Sequence, residues 1–184
     1  MMSEWRSVTT PLTDGLIETL KAGDRLLLTG TVFAARDRAH ERLCAMAARN
    51  ETLPIDPAGQ IIYYMGPSPA PPGRVIGAAG PTTSSRMDPF SEAVLKMGVR
   101  GMIGKGKRDH ATRELLAWYR AVYFATFGGA GAYLAKRISE ATCVAFDDLG
   151  AEAIYLLRVE RFPLIVINDI NGGDLYEDAI QNRR

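Results

Sequence analysis

Four short segments place glycine, hydroxyl and cationic residues side by side: TGTVFAARD (residues 29–37), GAAGPTTSSRMD (77–88), GKGKR (104–108) and FGGAG (127–131). Arg36, Arg86 and Lys105 stand in three of them. A guanidinium fork holds a carboxylate through two parallel hydrogen bonds and an ammonium adds a point charge, so three such cations converging would suit a dicarboxylate or a phosphate. Taken singly, each is equally a solvated surface charge. Thr82, Thr83, Ser84 and Ser85 are candidate anion ligands, cap partners or proton-transfer groups. A free hydroxyl is a poor base unless a neighbour lowers the cost of the alkoxide, so ordinary loop structure competes with catalysis for this run.

Several chemistries are disfavoured by the same residues. GKGKR lacks the G-x-x-x-x-G-K-[ST] pattern of a phosphate loop, and GAAGPT lacks the third glycine of a dinucleotide fingerprint. His40 falls one helical turn after Arg36 and one before Cys44, so the three share a face. With His110 the only other histidine, a zinc site fails for want of ligands. His40 and Asp37 are read as orienting groups behind the cations. Cys44 and Cys143 are too far apart in sequence for a chelating pair and read as reduced cytosolic thiols. The FGGAG glycines suit close ligand approach or merely a tight turn.

The elements that would position these residues alternate along the chain. Thr13 or Asp14 caps a short helix carrying Leu16, Ile17 and Leu20 and ended by Gly23. Strands are predicted over 26–28, 61–65, 74–78, 100–103, 121–127, 143–146, 153–159 and 163–168. Helices are predicted over 37–49, over 88–97 with Asp88 and Pro89 as its start, through Leu115, Trp118, Tyr119 and Val122, and over 129–138. Residues 171–174 (NGGD) read as a turn joining two strands. The order is α/β alternation with an antiparallel end. Residues 1–12 form an N-terminal arm and 13–184 one domain.

Composition agrees with a soluble globular protein: 184 residues, 47% of them hydrophobic and 23% charged. The 22 Lys and Arg against 21 Asp and Glu leave +1, which recommends neither nucleic acid nor an anionic membrane as partner. No window reaches the length of a membrane span, and MMSEWRSVTTPLTDG lacks a signal peptide's apolar stretch, so a cytoplasmic protein is expected.

In this order the loops resemble the iron–sulfur-dependent class I fumarases and the related tartrate dehydratases, specifically their β subunit or equivalent C-terminal domain. The resemblance runs from about Thr10 to Glu177 and rests on GDRLLLTGTVFAARDRAH, GPTTSSRMD, KGKR where the family often has KGNR, GGAGA, and LGAEAI before a final apolar strand. It implies a single swivelling-type α/β domain with a mixed sheet and flanking helices. It further implies a hydro-lyase that hydrates fumarate to malate, with tartrate or methylfumarate (mesaconate) as alternative substrates. The four-iron four-sulfur cluster would be held by a cluster-bearing α subunit, with no metal bound by this chain. Carried across by motif, Arg36, Arg86, Lys105 and Thr83 bind the dicarboxylate and Thr82, with Lys105, handles the proton. A hetero-oligomer is expected, or a homodimer when isolated. Ser84-Ser85 for the commoner Ala-Gly, and Lys107 for Asn, depart from the pattern. The reading from a different class is a non-catalytic partner domain that binds a small anion.

Overall fold

The computed structural model describes residues 4–181. Residues 1–3 of the expected arm and 182–184 of the expected domain lie outside the described residues. Seven strands form one mixed sheet: β1 (Arg6–Thr9), β2 (Arg25–Ala34), β3 (Ile61–Tyr63), β4 (Gly101–Gly104), β5 (Val122–Ala125), β6 (Ile138–Ala145) and β7 (Ile154–Asn168). Their order is β1-β2-β3-β4-β5-β7-β6. β1 to β5 run parallel as neighbours, whereas β7 is antiparallel to β5, β6 and also β2. The β2–β7 pairing closes a five-stranded ring of β2, β3, β4, β5 and β7, with β1 and β6 as the strands outside it. Residues 6–9 of the expected arm are thus part of the sheet.

Side chains alternate across this ring. Ile61, Tyr63, Ile103, Val122 and Phe124 join Leu26, Leu28 and Val159 in one buried cluster, together with Ile17 and Leu20 of α1 (Asp14–Thr19) and its C-cap. Ile62, Tyr64, Met102 and Tyr123 face the other way. They pack on Ala39 and Leu43 of α2 (Asp37–Ala48), Val94 and Leu95 of α3 (Ser91–Lys96) and Leu116 of α4 (His110–Trp118). Two short helices complete the chain, α5 (Gly131–Ala135) and α6 (Leu175–Gln181). Thr13 makes the α1 cap, its hydroxyl accepting from Leu16 N at 3.2 Å.

Several expectations are corrected. β2 extends through Thr29-Gly30-Thr31 because β7 supplies ladder partners on both sides of a bulge. Gly30 (φ +130°) carries that bulge against Thr10, whose hydroxyl would stand 2.1 Å from a Cβ there. No strand forms over 74–78: the preceding prolines lack ladder donors, and the loop is closed instead by Ala78 N donating to Ser68 Oγ at 2.7 Å. A 3₁₀ segment, Ser84–Phe90, contains Pro89 and precedes α3, so Asp88 starts no helix; its carboxylate is taken by Arg108. Trp118 is 81% exposed and Val122 belongs to β5, leaving Thr112 and Leu116 as the buried face of α4. The helix expected over 129–138 shrinks to α5, because Ile138 onward pairs with β7. β7 is one 15-residue strand where two were expected, and the NGGD turn leads into α6 rather than another strand.

Candidate functional site

The register of the parallel strands brings four loops to one edge. Ala34 pairs with Tyr63, Tyr63 with Ile103, and Gly104 with Ala125. The residues that follow, Arg36-Asp37, Tyr64 to Gly66, Lys105 and Thr126 to Gly128, therefore emerge together at the carboxyl ends of β2 to β5, where α/β sheets collect ligands. The GPTTSSRMD segment is bonded onto that edge. Thr82 N donates to Tyr64 O at 2.7 Å and Ser84 N to Lys105 O at 2.9 Å, with Thr83 bridged to Lys105 in parallel. FGGAG closes over Lys105: a Cβ on Gly128 would lie 3.5 Å from Lys105 Cδ.

Arg36 follows β2 and is the N-cap position of α2. Its Nη2 donates to Glu152 Oε1 at 2.9 Å, and the other oxygen of Glu152 accepts from Arg38 N at 3.0 Å. Arg36 Nε is buried with no partner. Gly66 lies against this guanidinium, so near that a Cβ would come 2.9 Å from Nε. Behind it His40 is 1% exposed, with Nδ1 2.9 Å from the Arg36 carbonyl. A carbonyl only accepts, so Nδ1 carries the proton and Nε2 is a bare acceptor, buried without a partner. Burial, with Arg108 adding repulsion, lowers the His40 pKa to about 4 against a smaller opposing effect of that hydrogen bond.

Arg86 is paired side-on with Asp37: Nε donates to Oδ1 at 2.9 Å, and Nη2 lies 2.9 Å from Oδ2. The ammonium of Lys105 has no ion-pair or hydrogen-bond partner among the described residues, and neither has the hydroxyl of Thr82 or of Thr83. Thr82 and Lys105 are half-buried, Thr83 exposed. The structure thus gathers Arg36, Asp37, Arg86, Lys105, Thr82 and Thr83 on one edge, with His40 beneath. The arginines, though, already hold carboxylates of this chain, an arrangement absent from the sequence reading.

Glu152, Asp88 and Arg108 were missed as site neighbours, and Ser84, a candidate hydroxyl, has a supporting place. Glu152 is 116 residues from Arg36 and reaches it from a 3₁₀ segment, Asp147–Glu152, with no local signal beyond its place in LGAEAI. Ser84 is fully buried, and its hydroxyl accepts from Lys105 N at 3.1 Å. Arg108, in KGKR, was readable only as another surface cation.

Residues 6–179 match the family model described as Fumarase C-terminus. The chain belongs to this family. Within it, the domain is 36% identical over 160 residues to fumarate hydratase 2 of Leishmania major, covering 86% of this chain and 28% of that protein. It is 34% identical over 161 residues to the anaerobic class I fumarate hydratase of Escherichia coli, covering 86% of this chain and 29% of that one. The Fumarase C-terminus domain therefore spans under a third of these two fumarate hydratases. Against the putative L(+)-tartrate dehydratase subunit beta of Methanocaldococcus jannaschii it is 37% identical over 174 residues, covering 91% of this chain and 89% of that protein.

The iron–sulfur cluster that the family resemblance implies finds no ligand set among the described residues. Cys44, on α2, is partly buried, which pushes its thiol pKa up, and Cys143, on β6, is exposed. Among the described residues no three His, Cys, Asp or Glu are grouped to hold a metal. Nor is any described helix long and apolar enough to cross a membrane.

Proposed function

We propose that this chain is the β subunit, or the equivalent C-terminal part, of a class I hydro-lyase that hydrates fumarate reversibly to malate in the cytoplasm. One observation carries the reading: cations from separate loops share the carboxyl edge of the sheet, with Lys105 unpaired and each arginine keeping free donors. Arg86 spends its Nε/Nη2 edge on Asp37 and so turns its Nη1 end outward for a substrate carboxylate. Arg36, anchored through Nη2 and with Nε buried, retains Nη1. Lys105 supplies the remaining charge for a dianion, and Thr83 a hydroxyl donor.

In the dehydration direction C3 loses a proton and C2 loses hydroxide. We assign the proton at C3 to Thr82, whose hydroxyl is not committed to any protein partner. Lys105, bridged to the neighbouring Thr83, and Arg86, four residues on, bring to this edge the positive charge that favours the alkoxide a hydroxyl base requires. Expulsion of hydroxide has no agent among the described residues. This chain does not fit the four-iron four-sulfur cluster, and we assign the cluster to an α subunit or to a preceding segment of a longer chain. We take residues 13–184 as the fumarase β-like domain and 1–12 as an arm of which residues 6–9 pair into its sheet. Where the cluster lies on a separate α subunit a hetero-oligomer follows, with a homodimer when the chain is isolated.

The near full-length match to a tartrate dehydratase subunit beta favours tartrate as the second substrate, and methylfumarate uses the same donors. Anaerobic mixing with a cluster-bearing subunit, followed by assays on fumarate, tartrate and methylfumarate, tests the reading. Turnover of one acid by the mixture alone is expected. Full activity of the iron-free chain would overturn the shared site. Inactivity of the complex on all three acids would favour a non-catalytic anion-binding domain.

A further inference from the structure

Behind Thr82, Arg86 and Lys105, one side chain contacts residues that lead to all three. Arg108 is 4% exposed, and its guanidinium lies over the rings of Tyr64 and Tyr123, with Cζ 5.5 and 5.2 Å from their centroids. Nε donates to Asp88 Oδ1, Nη2 to Ser91 Oγ at 2.6 Å, and Nη1 to the Tyr64 hydroxyl at 3.4 Å. The second oxygen of Asp88 accepts from Asp109 N at 3.0 Å.

Three of these contacts, to Asp88, Tyr64 and Tyr123, lead on to different site residues. Asp88 is two positions after Arg86 on the same 3₁₀ segment. The carbonyl of Tyr64 accepts from Thr82 N at 2.7 Å. The hydroxyl of Tyr123 donates to Gly106 O at 2.7 Å and meets Ser84 Oγ at 2.9 Å, and Ser84 Oγ in turn accepts from Lys105 N. Burying a guanidinium carries a desolvation penalty that an apolar side chain of equal volume would avoid. What the charged fork adds is direction, since its donors fix Asp88, Ser91 and Tyr64 at set angles to one another.

We propose that Arg108 is a positioning residue that sets the mutual placement of Thr82, Arg86 and Lys105 without touching the substrate. This rests on the hydro-lyase reading for its link to turnover, but not for its effect on the loops. Arg108→Lys keeps the charge and loses the fork. The control is Leu20→Ala, a buried change in the other core cluster, with denaturant added to the more stable variant until both have equal global stability.

Two measurements decide the matter. In the full chain, hydrogen exchange at the amides of Thr82, Ser84 and Lys105 should quicken by about tenfold or more in Arg108→Lys and not in the matched control. In the complex with the cluster-bearing subunit, Arg108→Lys should lower kcat/KM by about 100-fold, the order expected for misplaced catalytic groups. Adding Arg86→Lys should then cost less than it does in the wild type, because coupled residues are not additive. If Arg108→Lys does not fold, Ser91→Ala removes the Nη2 partner, together with the bond from Ser91 Oγ to Met87 O, while Ser91→Thr keeps both, so the alanine variant should show the same pattern at roughly 3- to 10-fold and the threonine variant should not. Unchanged exchange at all three amides, or kinetics matching the Leu20→Ala control, would overturn the proposal. A wild-type complex inactive on every acid would sink the hydro-lyase reading instead, and the exchange data would still decide the role of Arg108.

Discussion

Arg86 and Asp37, 49 residues apart, form a side-on pair in which both contacts are 2.9 Å. The pair joins the first turn of α2 to the 3₁₀ segment before α3, and it aims the unpaired end of the guanidinium. Because Arg86 is half exposed, the pair contributes little to stability, within about 1 kcal/mol. Its value lies in orientation. Asp37→Asn should therefore leave the melting temperature nearly unchanged while lowering kcat/KM of the complex about 10- to 100-fold, the loss of one charge-assisted bond. Arg86→Lys should fall at least as far. Wild-type kinetics for Asp37→Asn would assign Arg86 to the solvated surface.

Glu152 anchors Arg36 by a single bond in a half-buried setting. Glu152→Ala frees the guanidinium to rotate, and the KM for the dicarboxylate should rise roughly 3- to 10-fold, with Arg36→Ala costing more, about 30-fold or beyond. Steady-state assays of the complex distinguish this from competition: a lower KM in Glu152→Ala would mean that Glu152 occupies the place of a substrate carboxylate.

His40 gives the fold an acid-sensitive element. Its pKa is lowered to about 4 in the folded protein, so between the ordinary value of 6.5 and 4 the unfolded chain binds a proton that the native protein excludes. Stability from this group is fully present above pH 6.5 and is lost as pH falls to about 4, by roughly 3 kcal/mol in all. Urea midpoints measured at pH 7 and pH 4.5 should show this drop, and His40→Leu should flatten that part of the profile. An unchanged slope in His40→Leu would place the acid sensitivity elsewhere.

Gly104 ends β4 beside the hydroxyl of Ser84, 1.9 Å from where a Cβ would stand, with Tyr64 Cδ2 at 3.1 Å. Gly104→Ala should destabilise the chain by about 1–3 kcal/mol through overpacking. Ser84→Ala added to it should restore part of that loss, since only the hydroxyl makes the severe clash, and thermal unfolding of the four forms of the cycle measures the coupling. Strict additivity would show that the clash is relieved by backbone movement instead.

Local signals carried a definite share of this protein. The Thr13 cap and α2 were legible because a hydroxyl bonding three residues ahead and apolar side chains one turn apart are contacts made within a short stretch of chain. The residue types at the site were legible for the same reason: Arg36, Thr82, Arg86 and Lys105 follow apolar runs in glycine-bearing loops, and the order of those loops carried the family resemblance. What only the tertiary structure decided was who neutralises whom. Pairing of Arg36 with Glu152, Arg86 with Asp37 and Arg108 with Asp88 depends on strand register, which sets loops from distant parts of the chain on one edge. The same long-range pairing carried β2 through Gly30 and β7 through Pro163, because β7 offers β2 a ladder wherever the two run side by side. A sequence records the side chain and its near neighbours; the partner of a charge is fixed by desolvation and geometry that exist only once the sheet has closed.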